Sequence, residues 1–121
     1  MPVSNGLTWA GVILIFLTGL LHFYETPGHL TEEPALAYMF ILNGVGSLVA
    51  ALGIYKRRLW GWVLGLFIAV GAVCGYIISR SVGMPGMMIE EVDSIGVAAV
   101  IIEILFTLAA VVVLFRRVKA R

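Results

Sequence analysis

Glu103 is the one acid of this sequence embedded in apolar residues, in the run Val100-Ile101-Ile102-Glu103-Ile104-Leu105-Phe106. An ionisable side chain that deep in hydrocarbon costs a few kcal/mol or more unless it is paired, neutralised or hydrated, so it reads first as functional. The structural alternative is a protonated Glu that hydrogen-bonds a neighbouring helix. His22 and Glu25 stand three apart on one helix face, the spacing of Glu/His pairs that hold metals inside helix bundles. Joined by Glu33 and by Glu91 or Asp93, they would form a mixed nitrogen and oxygen set suited to zinc, manganese or iron rather than calcium. Structural roles compete for the same residues. Glu32 and Glu33 sit where they would favour the positive end of a helix starting at Pro34, and Arg80 would neutralise acids through ion pairs.

Softer metal chemistry has less behind it. Met84, Met87 and Met88 with His22 or His29 offer thioether and imidazole ligands for copper(I), but methionines in such a loop also serve as headgroup anchors. Haem needs axial histidines, and the chain has only His22 and His29, the second in a loop. The single cysteine, Cys74, excludes a disulfide framework and any multi-cysteine metal site within one chain; in apolar surroundings its thiol stays inert. No Gly-x-Ser-x-Gly elbow, phosphate-binding loop or His-Glu-x-x-His is present, so binding is expected before catalysis.

The elements that must position these groups follow from composition. Of 121 residues 61% are hydrophobic and 12% charged, and the mean hydropathy is +1.06. Soluble domains lie near roughly 45–50% and about 25%. Eight basic residues balance seven acids, which excludes the single-sign field of a nucleic-acid binder. Four nearly uncharged segments, 7–24, 35–55, 59–78 and 95–115, approach or reach the roughly 20 residues needed to cross a bilayer. They are apolar all round, which excludes barrel strands of period two. The expectation is a single-domain, all-α bundle of four transmembrane helices with the lipid bilayer as its surroundings. The first segment is not read as a cleaved signal peptide, because it lacks a basic start and a small-residue cleavage pattern.

Charge assigns the sides. Lys56, Arg57, Arg58, Arg116, Arg117, Lys119 and Arg121 fall on one side of a four-span chain. Glu25, Glu32, Glu33, Glu90, Glu91 and Asp93 fall on the other, with Arg80 their lone cation. Lys/Arg excess marks the cytoplasmic face, so a multi-pass protein of the cell membrane with both termini cytoplasmic is expected.

Helical periodicity then draws one small or polar stripe per span. The stripes are Thr8, Gly11, Ile15, Thr18 and His22; Leu36, Met39, Asn43, Ser47 and Ala50; Gly61, Gly65, Ile68, Ala72, Tyr76 and Ser79; and Gly96, Ala99, Glu103, Thr107 and Ala110. Turned towards one axis, they place Asn43 and Glu103 at one depth as a polar pair, with His22 and Tyr76 nearer the acidic mouth. Gly61-x-x-x-Gly65 and Gly71-x-x-x-Gly75 would serve internal packing, or alternatively a homodimer seam along the third span.

His22 followed by Glu33, then Ser79-Arg80-x-x-Gly83-x-Pro85-Gly86 with Glu91, Asp93 and Glu103, resembles small prokaryotic four-helix membrane proteins of unassigned function, broadly DoxX-like in build. The resemblance covers most of the chain, apart from the Met84/Met87/Met88 cluster, and supplies no activity. It implies the four-helix fold and one site joining His22, Glu33, Arg80 and Glu103. Three functions remain in view. The first is cation binding, of a divalent metal before others, at the non-cytoplasmic mouth. The second is an accessory or assembly subunit whose acidic loops meet a partner, and the third a membrane metalloenzyme. Below Glu103 only Thr8, Ser47 and Thr107 are polar, which favours binding over transport.

Overall fold

The computed structural model describes residues 3–29, 34–83 and 94–120. It contains four helices in chain order: α1 (Asn5–His29), α2 (Pro34–Tyr55), α3 (Leu59–Ser81) and α4 (Ser94–Ala120). All four are long and apolar enough to cross a membrane, and no strand occurs among the described residues. The bundle is all-α, as composition required.

Each helix outruns the apolar segment that announces it. Hydropathy marks where side chains stop being apolar, whereas the helix ends where backbone groups find other partners. α1 begins at a Ser4 cap, with the Leu7 N–H donating to Ser4 Oγ at 3.2 Å. It continues through Glu25 and Thr26, and Pro27 lies inside its final turn. α2 starts at Pro34, whose missing N–H has no helical partner to lose. It stops in a tight two-bond turn: the Arg58 N–H donates to Gly53 O at 2.8 Å and the Arg57 N–H to Ile54 O at 2.9 Å. Arg57 takes the left-handed position there, at φ 60°. Its guanidinium donates to Val3 O at 2.9 Å and to Asn5 Oδ1, tying the start of α1 to the α2–α3 turn.

The helices pack as a ring in chain order, each against its sequence neighbours and α4 against α1. Across the ring α1 and α3 barely touch, and among the described residues no Cα of α2 comes within 8 Å of one of α4. The core fills the basic half, where Ile15, Ala50, Ile54, Ala69, Phe106 and Ala110 are wholly buried. Trp62 and Phe106 stack there, with ring centroids 5.7 Å apart at 17°. In lipid such packing is a principal source of association, because burying apolar surface against apolar solvent gains little.

α2 and α3 cross at Gly53 and Gly61, so closely that a Cβ on Gly53 would stand 2.8 Å from the Gly61 Cα. Gly65 is filled by the Phe106 ring. Towards the acidic end the same two helices diverge: a Cβ on Gly71 or Gly75 would meet nothing within 4 Å. The two glycine motifs of α3 therefore differ. The first packs inside the bundle; the second borders open space.

Gly61→Ala is expected to lower stability by about 1–3 kcal/mol, the range for overfilling a close-packed contact. Gly71→Ala should leave it within about 0.5 kcal/mol or raise it slightly, since only helix propensity changes. Thermal melts of both variants in one detergent check the contrast.

Candidate functional site

The divergence of α2 and α3 opens a cavity of about 520 Å³ in the acidic half of the bundle. Its polar groups come from all four helices: His22 and Glu25 from α1, Asn43 from α2, Tyr76, Ser79 and Arg80 from α3, and Glu103 from α4. The remaining wall is apolar, and includes Leu36, Met39, Phe40, Leu64, Phe67 and Ile68.

Glu103 is 2% exposed. Its Oε2 lies 4.0 Å from His22 Nε2 and has no hydrogen-bond partner among the described residues. The imidazole is held from behind. His22 Nδ1 lies 2.7 Å from Thr18 O, and a carbonyl can only accept, so Nδ1 carries the proton. Nε2 thereby faces the carboxyl. The Phe40 ring meets the imidazole edge-on, with centroids 5.4 Å apart, and limits its tilt. At 4.0 Å the pair is longer than a hydrogen bond, so neither group satisfies the other in this geometry.

On α3 the Arg80 guanidinium carbon lies 4.0 Å above the Tyr76 ring centroid, and Arg80 Nη1 donates to Ser79 Oγ at 2.8 Å. The Ser79 hydroxyl donates to Tyr76 O. The Tyr76 hydroxyl is buried without a hydrogen-bond partner among the described residues.

The inward stripes largely hold. Thr8, Gly11, Ile15, Thr18, Ser47, Gly61, Gly65, Gly96, Glu103 and Ala110 are all buried. The expected Asn43–Glu103 pair does not form. Asn43 lines the same cavity, but its Oδ1 accepts from Ser47 Oγ at 3.2 Å, and α2 stays clear of α4. Glu103 faces His22 instead, because α1 and α4 are ring neighbours whereas α2 and α4 lie diagonally apart. Two hydroxyls expected between helices bond their own backbone, Thr18 to Leu14 O and Thr107 to Glu103 O, and Thr26 does the same to His22 O.

Glu33, Glu91 and Asp93 lie outside the described residues, as do Met84, Met87 and Met88. Among the described residues no three of His, Cys, Asp and Glu come close enough to hold a metal. Sequence reasoning missed Phe40 and the backing carbonyl of Thr18. The latter had a signal, since a residue four before a helical histidine lies directly beneath it.

Glu103→Leu is expected to raise unfolding stability by about 1–3 kcal/mol, because it removes a buried acceptor that lacks a partner. A carboxyl serving as structural glue would give the opposite sign, and denaturation in mixed micelles reads it.

Comparison of the chain with protein-family models, with curated proteins and with solved structures finds no match.

Proposed function

We propose that this is a multi-pass membrane protein that binds a cation in the cavity of its acidic half, with Glu103 as the anionic anchor. The observation that carries this reading is the Glu103 carboxyl itself. It is buried, aimed into a cavity, and 4.0 Å from an imidazole whose Nε2 faces it. A second carboxylate, Glu25, lines the same cavity, against one guanidinium, Arg80. A site of this kind is costly to keep in a membrane, which argues that the carboxyl is retained for binding.

Support for binding over passage comes from the floor. On the basic side of Glu103 the bundle axis is closed by Ile15, Phe106 and Trp62, each at most 2% exposed. The basic turn and Arg117 converge at that closed end, around a small cavity of about 60 Å³. The positive-inside rule makes this end cytoplasmic, so the half that holds the larger cavity lies towards the opposite side.

A metal is the second reading. His22, Glu25 and Glu103 do not gather closely enough to hold it by themselves, so Glu33, Glu91 and Asp93, outside the described residues, would have to supply ligands.

Titration calorimetry of the detergent-solubilised protein with zinc, manganese and tetraphenylphosphonium chlorides tests the proposal. At least one cation should bind, with affinity falling about tenfold or more in Glu103→Gln, as expected when a charged partner is neutralised. Binding by none of the three, or binding indifferent to Glu103→Gln, rejects the reading. Orientation is checked separately in a Cys74→Ser background. An impermeant maleimide should label Ser81→Cys on intact cells, and Lys56→Cys only after permeabilisation. The reverse pattern would invert the assigned topology.

A further inference from the structure

We infer that the cation held at Glu103 is organic and lipophilic, and that it enters sideways from the bilayer through the gap between α2 and α3. This rests on the cation reading above and specifies its ligand.

The cavity wall indicates what the ligand is made of. An inorganic ion needs several oxygen or nitrogen ligands within bonding distance. No group of three such side chains gathers among the described residues. Most of the wall is instead leucine, isoleucine, phenylalanine, methionine and glycine, which offer hydrocarbon contact and no charge. At about 520 Å³ the space lies within the roughly 300–1,000 Å³ of pockets that take small organic molecules. One end carries Glu103, with Glu25 and Arg80 on the same lining. A molecule that fills such a space has an apolar body and a positive head. Glu103 Oε2, buried and without a hydrogen-bond partner among the described residues, is the acceptor aimed at that head.

The exposure of the wall indicates the route. Leu42 and Phe67 line the cavity and are nevertheless 73% and 75% exposed, so the wall is breached on the outer surface of the bundle where α2 and α3 face lipid. Gly71 and Gly75 lie along the same side of α3 with open space where a side chain would stand. The breach is bounded below, since Gly46 lies close against the Ile68 side chain and Gly53 against Gly61. A hydrocarbon ligand dissolved in the membrane therefore meets an apolar side entrance at the depth of the carboxyl, and never has to pass the charged mouth.

The probe is tetraphenylphosphonium, a permanent lipophilic cation, with triphenylphosphine oxide as its neutral counterpart. Equilibrium dialysis uses the full-length protein in lipid nanodiscs, with a melting curve for each variant to confirm folding. The expected result is saturable phosphonium binding, weakened at least tenfold by Glu103→Gln and at least tenfold by Gly75→Trp or Gly71→Leu, which plug the gap. Leu17→Trp, on the lipid face of α1, should change nothing. Zinc or manganese binding that depends on Glu103, without phosphonium binding, would overturn this inference and leave the cation reading intact. Binding by neither would remove both. Phosphonium binding untouched by the two glycine variants would overturn the lateral route. Equal retention of the phosphine oxide, indifferent to Glu103→Gln, would overturn the positive head. A dimer in light scattering that Gly75→Trp dissociates, with no phosphonium bound, would assign the gap to a second copy of the chain.

Discussion

The arrangement turns on the cost of keeping one carboxyl group out of water. Glu103 is 2% exposed in a helix otherwise built to sit in hydrocarbon, and no donor within the described residues completes it. Every feature around it accommodates that fact. Thr18 fixes the tautomer of the imidazole opposite, Phe40 limits its tilt, and the α2–α3 divergence leaves room beside it. A carboxyl kept only for adhesion would be expected to have its hydrogen bonds made within the fold. This one is turned towards space.

The same bundle solves opposite problems at its two ends. At the basic end, glycines let backbones meet and aromatic rings fill the remaining volume, as in the Gly53–Gly61 crossing and the Trp62–Phe106 stack. At the acidic end, glycines of the same helix border a void. Small residues in membrane helices commonly signify contact, since close packing is what holds such helices together. Gly71 and Gly75 show that the residue type alone does not distinguish a filled notch from an empty one. The difference lies in whether the neighbouring helix is near, and here it has already diverged.

Much of this was legible in the sequence. Hydropathy and length gave four helices, and the 3.6-residue period put Thr18, His22 and Glu103 on inward faces because four separate stripes had to share one axis. What failed was the choice of neighbours around the ring. Depth can be counted along a helix, so Asn43 and Glu103 were placed level, and both line the one cavity. Adjacency cannot be counted that way, and the two helices lie on a diagonal. The apolar spans also stop short of the helix ends: backbone hydrogen bonding carries α1 through Glu25 and Thr26, where apolarity has already ceased. The cavity itself has no linear signature, because it comes from the angle between two helices whose sequences are equally apolar.

The Arg57 latch has a mechanical consequence. By gripping Val3 and Asn5 it makes the start of the first helix and the turn between the second and third a single rigid corner, next to the glycine crossing. The molecule is thus pinned at one extremity and splayed at the other, like the jaws of a clothes peg. Prising the jaws a little wider disturbs only the loosely filled half and leaves the clamped corner untouched. On the proposed cation reading, guests of graded bulk would be gripped at one unchanging depth, with selectivity set by the charge of the head and not by the girth of the tail.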